Sequence, residues 1–368
     1  MKKIMTIVLS TLLLQLSVDA QLTTLPDGGN KKAIVGEKVG LTDVVINYSR
    51  PAVKGREGKI WGQLVPFGFT DQGFGTSKAA PWRAGANEGT TIEFSTPVTI
   101  EGKELPAGKY GFFIATGKDE STLIFSKNNT AWGSFFYNPS EDVLRVPCKQ
   151  QVIDKPEEFL QYVFLNQTPN NATIALQWEK WMFPFKVETD IKKEQLASFR
   201  KELQTEKGFN WQAFVQAANW CANNNTNLDE ALQWADNAIS GTFIGEKNFT
   251  TLSTKAKILD LMGKQAEAEA IMKEAAPLGS MTEVHGYARQ LLMGKKLAAA
   301  AEVFKNNYKK YPNTFTTNMG MVRALSAEGK YKEALKYANA ALSQAPDNAN
   351  KSNAEGMIEK LKAGKDVN

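Results

Sequence analysis

The sequence predicts a multidomain β + α chain, an antiparallel β-sandwich or jelly-roll-like domain followed by an α-helical repeat domain. Up to about residue 189, short alternating runs recur between clusters of Gly, Pro, Asn and Asp, the pattern of antiparallel strands. From about Asp190 the apolar spacing lengthens to that of amphipathic helices and stays so to the end. A length of 368 residues suits two cores better than one. The expected boundaries are 1–20 for a leader, 21–189 for the β domain and 190–368 for the helices.

Residues 1–20, MKKIMTIVLSTLLLQLSVDA, read as a secretory signal peptide. Lys2 and Lys3 supply the positive start, and Ile4 to Leu16 is apolar but short for a membrane span. Val18-Asp19-Ala20 offers small residues for cleavage after Ala20. The expected compartment is therefore periplasmic or extracellular, with no transmembrane segment after cleavage. Export permits a disulfide between Cys148 and Cys221, and two buried thiols fit the sequence equally well.

Residues 21–40 are polar and Gly-rich, a leader or edge segment. In TDVVINYSR (42–50), Val44, Ile46 and Tyr48 fall on one face and Val45, Asn47 and Ser49 on the other. Further strands are expected at 60–65, 90–95, 97–102, 109–116, 121–127, 142–152, 158–167, 171–180 and 182–189. Glu101-Gly102-Lys103, Pro106-Ala107-Gly108 and Pro169-Asn170-Asn171 are the turn signals between some of them. The aromatic group Trp178, Trp181, Phe183 and Phe185 is expected at the seam between the domains.

The helical part opens with IKKEQLASFRKELQTEKG, whose Ile191, Leu196, Phe199 and Leu203 share one face. A repeat then appears at 263–277, 294–312 and 329–346, each copy beginning Gly-Lys and ending in Pro. Pro277, Pro312 and Pro346 stand 35 and 34 residues apart, and a degenerate copy lies at 228–240. In the last copy Gly329 marks an inter-helix turn, and Tyr331, Ala334, Ala338 and Ala341 alternate large and small packing positions. This spacing resembles the tetratricopeptide repeat (TPR), which implies stacked helix hairpins with a surface for peptides or proteins.

The segments YSRPAVKGR (48–56), IWG (60–62), LVPFG (64–68) and PWRAGANEGTTIEFSTPVTIEGKELPAGKYGFF (81–113) carry a second likeness. Together with WGSFFYN (132–138) and EDVLRV (141–146), they resemble an exported bacterial family of unknown function, DUF2911, frequent in the Bacteroidota. The resemblance covers roughly 35–190. It implies a fold and a compartment but no established activity or cofactor. FTDQGFGTSKAA (69–80) departs from the family pattern as an insertion beside Trp82.

Several function classes lose ground on composition. Residues 21–189 carry 18 basic and 18 acidic residues and residues 190–368 carry 24 and 20, with no concentrated basic face for nucleic acid. The single histidine, His285, lies in a helical repeat without a triad or zinc-type partner set, so neither a metal nor another cofactor is expected. Adjacent carboxylates such as Glu141-Asp142 and Glu157-Glu158 point to opposite faces of a strand, unlike a glycosidase pair. No catalytic residue is assigned, and the balance is against an enzyme.

The best polar cluster combines Arg50, Arg56, Arg83, Asn87 and Glu88 with the stacking faces of Trp61 and Trp82. Arginines could hold a carboxylate there, with Asn87 adding a hydrogen bond. The same residues also serve as turn locks and core, for example through an Arg83–Glu88 pair. Trp132, Phe135, Phe136 and Tyr137 offer the material of a carbohydrate platform. The leading expectation is a periplasmic interaction scaffold with a protein or peptide partner. A β domain that binds a glycan or small ligand, less so one that hydrolyses it, is the alternative.

Overall fold

The structure, a computed structural model, describes residues 29–368. The signal peptide expected at 1–20 lies outside the described residues. The chain forms two compact units, the first ending at Glu194 and the second running from Gln195 to Asn368.

The first unit is a sandwich of two antiparallel sheets. The larger contains β1 (Lys31–Val39), β2 (Thr42–Arg50), β3 (Thr91–Phe94), β6 (Gly108–Ala115), β7 (Ser121–Ser126) and β8 (Asp142–Cys148), paired in that order. The smaller runs β5 (Lys103–Leu105), β4 (Val98–Ile100), β10 (Asn171–Glu188) and β9 (Gln151–Leu165). Val44, Ile46, Ile92, Phe112 and Phe125 from one sheet share a buried core with Ile100, Leu160, Leu176, Trp178 and Phe185 from the other. Strand β6 is buried on both faces. Phe112 and Ile114 enter that core, while Phe113 and Ala115 join Ile124 and Tyr137 in a small cluster behind the larger sheet.

Several expectations change. The segment 60–65 is not a strand: Gly62 turns the chain at φ +81°, and only a Trp61–Val65 bridge forms. The edge segment supplies β1, the Glu101-Gly102 turn leads into the short β5, and 142–152 is divided between β8 and β9. The two runs 171–180 and 182–189 are one strand, β10, because a bulge at Glu179 (φ +53°) switches which parity faces inward. Ile174, Leu176 and Trp178 point to the core before it, and Phe183, Phe185 and Val187 after it. That switch also corrects the seam expectation. Trp178, Phe183 and Phe185 are interior residues of the sandwich, and Trp181 packs against them.

The long connection 51–90 straps both sheets. Ala52 bridges Phe159 of β9, and Trp82 bridges Ile114 of β6. Its 69–80 insertion is held by the Thr70–Ala80 bridge and by Ser77 N–H donating to the Phe135 carbonyl at 3.0 Å. At the end of the unit, the Glu194 carboxylate accepts hydrogen bonds from the Thr42 and Thr96 hydroxyls and from Leu41 N–H.

The helices are α1 (Ile191–Glu202), α2 (Trp211–Asn223), α3 (Leu228–Ser240), α4 (Phe249–Leu261), α5 (Gln265–Ala275), α6 (Met281–Met293), α7 (Leu297–Lys310), α8 (Phe315–Ala327), α9 (Tyr331–Ser343) and α10 (Asn348–Lys362). In the second unit α2/α3, α4/α5, α6/α7 and α8/α9 pack as hairpins, and α10 packs on α9. Small buried residues such as Ala235, Ala275, Ala300, Ala334 and Ala338 let the helices approach closely. Reciprocal capping boxes start α4 (Asn248/Thr251), α6 (Ser280/Glu283) and α8 (Thr314/Thr317), satisfying end groups that the helices leave open. The repeat detected in the sequence marks the second helix of each hairpin, α3, α5, α7 and α9.

Candidate functional site

In the first unit the polar cluster expected from sequence is resolved into separate local contacts. Arg50 Nε donates to the Leu160 carbonyl at 2.8 Å, and its guanidinium lies over the Phe159 ring. Arg56 clamps the carbonyls of Val53 and Ala52, at 2.8 and 2.7 Å. Arg83 donates to the Asn87 carbonyl at 2.7 Å. Burial depresses its basicity. The Asn87 side chain accepts from Asn30, and Glu88 pairs with Lys32 at 2.5 Å while accepting from Ser49. Lys32 holds the Glu88 carboxyl below its ordinary range. Arg83 thus locks the turn through a carbonyl oxygen, whereas Glu88 is fixed to the first two strands.

Trp61 and Trp82 belong to a different neighbourhood. Trp61 stacks on Trp181 with centroids 4.9 Å apart and meets Trp82 edge-on at 5.6 Å. Trp82 Nε1 donates to the Gly85 carbonyl at 3.0 Å. The indole nitrogens of Trp61 and Trp178 are buried without a hydrogen-bond partner. Glu179, buried and next to Trp178 in sequence, receives N–H bonds from Lys180 and Gly58. Sequence reasoning treated Trp61 as a partner of the arginines; the structure places it in an aromatic block with Trp178 and Trp181.

The aromatic run at 132–137 is divided by burial. Trp132 and Phe136 are 56% and 42% exposed, whereas Tyr137 is buried. Phe74 of the insertion, 64% exposed, meets the Phe135 ring edge-on at 5.2 Å and Phe136 at 6.1 Å. Tyr137 donates to Asp142 at 2.6 Å and accepts from Arg145 at 2.8 Å.

Two clefts of the second unit lie between its second and third hairpins. Helix α2 packs on α4 and α6 packs on α8, while α4 and α6 meet where the Thr250 hydroxyl donates to the Glu283 carboxylate at 3.5 Å. Between them opens a cleft of about 410 Å³, lined by Phe249, Ala256, Lys257 and Asp260 from one side and Gly286, Tyr287 and Gln290 from the other. A second cleft, of about 580 Å³, opens beside α5 and α7. Met272, Tyr287, Leu291, Glu269 and Lys296 line both, and a Lys296–Glu269 ion pair of 2.9 Å spans them. Gly286 sits in the middle of α6, where helix propensity disfavours glycine, and a Cβ there would meet nothing within 4 Å. The signal that could have located this cleft in the sequence was that mid-helical glycine.

Among the described residues no group of three or more His, Cys, Asp and Glu is arranged to hold a metal ion. Cys148 and Cys221 are buried free thiols, and burial pushes them up to about 12 and about 11. His285 packs edge-on against Phe304 at 5.2 Å, and its Nδ1 is buried without a partner. Burial first, then the charges of Arg323 and Arg289, bring it down to about 4.

Residues 30–187 match the model of a family described as a protein of unknown function, DUF2911. No curated protein matches the chain. Among solved structures, YrrB, a TPR protein with an unusual peptide-binding site, is 18% identical over 47% of this chain and 87% of its own, with a TM-score of 0.31. A tetratricopeptide repeat protein from Parabacteroides merdae is 17% identical, covering 47% of this chain and 69% of its own, with a TM-score of 0.32. The APC/C hetero-tetramer Cut9–Hcn1 is 12% identical, with 48% and 35% covered and a TM-score of 0.31. The chain therefore combines a first domain that resembles the DUF2911 family with a helical domain that resembles tetratricopeptide repeats.

Proposed function

We propose that this protein is an exported, non-enzymatic scaffold that binds a protein or peptide segment through the cleft between α4 and α6. The open space at Gly286 carries the reading. A glycine in the middle of a helix costs stability, and here it leaves room for a foreign side chain between two hairpins. The cleft's size of about 410 Å³ suits a short peptide stretch, and its apolar floor with a polar rim follows the usual pattern of binding sites. In the first domain Arg83, Asn87 and Glu88 are each engaged by the protein itself, which supports a structural part for them. Export rests on the leader-like residues 1–20. No helix among the described residues is long and apolar enough to cross a membrane.

The test is Gly286→Leu in the full chain. Leucine favours the helix and fills the cleft, so the melting temperature should hold or rise while retention of the peptides that the wild-type chain selects from a random dodecapeptide library is lost. Undiminished binding by the variant would remove the cleft from consideration.

A second reading is favoured by the exposed rings of Phe74 and Phe136, which meet edge-on at 6.1 Å, and by Trp132, exposed in the same segment as Phe136, the kind of aromatic material that stacks on sugars. It predicts retention of the protein on an immobilised polysaccharide, lost on Trp132→Ala or Phe74→Ala. Equal retention of these variants would reject it.

A further inference from the structure

We infer that the bound segment is extended, and that it runs from the α4–α6 cleft into the second cleft, where Asn307 accepts a hydrogen bond from one of its backbone N–H groups. This inference rests on the peptide-binding reading above and names the form of its ligand. The two clefts share Met272, Tyr287 and Leu291, so one chain can lie along both. They open at the step from α5 to α6. Helix α3 packs on α4 and α7 packs on α8, but α5 and α6 lack packing of that extent. Ties at the two ends of α7 hold the walls in place. Lys296 pairs with Glu269 at 2.9 Å, and Lys310 Nζ donates to the Pro277 and Gly279 carbonyls at 2.9 and 3.2 Å. A slot framed in advance costs its ligand less to order.

Asn307 departs from the pattern of the repeats. Seven residues after the buried alanines Ala231, Ala268, Ala300 and Ala334 stand Ala238, Ala275, Asn307 and Ala341. The three alanines at that second position are fully buried, and the α7 repeat places there an amide side chain on a residue 3% exposed. Asn307 also lines the second cleft. Its Nδ2 donates to the Met281 carbonyl at 2.9 Å, while its Oδ1 is buried without a partner. An amide oxygen withdrawn from water and left unmatched is costly, so the site calls for an N–H donor. A helical ligand spends its backbone N–H groups on itself beyond the first turn, whereas an extended one presents them. Its alternate side chains then meet the apolar wall of Val284, Tyr287, Leu291 and Val303.

The immobilised full chain selects from a synthetic random dodecapeptide library read by mass spectrometry, with Gly286→Leu and Asn307→Ala chains in parallel. The most strongly retained wild-type peptide is then remade as a series in which each backbone amide in turn becomes an ester. Each ester removes one N–H and keeps every side chain. One ester should weaken binding to the wild type about tenfold and binding to Asn307→Ala hardly at all. Asn307→Ala should keep or raise the melting temperature, since alanine fills the same position in the other repeats. A purely structural asparagine would instead lower the melting temperature and leave the ester series alike in both chains. Esters that cost the same in both chains, or a wild-type series without a costly position, overturn the Asn307 contact and leave the cleft standing. No retention by the wild type beyond that of Gly286→Leu overturns both.

Discussion

The guanidinium of Arg83 donates to the carbonyl oxygen of Asn87 at 2.7 Å while lying over the Phe135 ring, 5.1 Å from its centroid. One side chain therefore ties the 83–87 turn to the 132–137 segment. Gly133 makes this possible: its φ is +63°, and a Cβ would come 2.4 Å from Arg83 Nη1. Gly133→Ala should thus lower stability by about 1–3 kcal/mol, through backbone strain and a displaced arginine. Urea unfolding followed by tryptophan fluorescence measures it, and an unchanged midpoint would contradict the packing.

Glu194 closes the first unit as a buried acceptor for two hydroxyls and one backbone N–H. Glu194→Ala leaves these donors without their partner, at an expected cost of about 1–3 kcal/mol. Thr42→Val in the Glu194→Ala background should then cost less than in the wild type. A double-mutant cycle in denaturant reads this coupling.

His285 makes stability depend on pH. Its folded-state value of about 4 lies below the ordinary 6.5, because burial and two neighbouring arginines oppose its charge. As pH falls, the unfolded chain therefore takes up a proton first. Its contribution is intact above about pH 6.5 and is lost progressively toward about pH 4, on the order of 3 kcal/mol in all. His285→Leu should flatten that part of the stability–pH curve, as seen by thermal melts across the range.

The two thiols should be slow. Both Cys148 and Cys221 are buried and shifted away from the thiolate form. A disulfide-exchange reagent at pH 8 should label neither quickly in the native protein and both on unfolding. A rapid native reaction at either site would show that its surroundings open.

Much of this protein was legible because its local chemistry agrees with its fold. The run 42–50 is a strand with the expected inward face because its alternation matches a half-buried sheet. The Gly-Lys starts and Pro ends of the repeats located α5, α7 and α9 for the same reason. Runs without a clear period misled: 60–65 looks like a strand, yet Gly62 at positive φ makes it a turn.

The sequence by itself determined the β and α halves, most strand and helix positions, and the places where Gly and Pro interrupt them. Periodicity and turn chemistry are local, so they can be read along the chain. Only the tertiary structure decided that Glu88 binds Lys32 rather than Arg83 and that Trp61 stacks on Trp181. Those outcomes depend on residues distant in sequence competing for the same partner, and on a β10 bulge that reverses which side chains face the core. Which partner wins is settled by packing, as at Gly320, where a Cβ would come 2.7 Å from the Phe304 ring and force the neighbouring helices to shift.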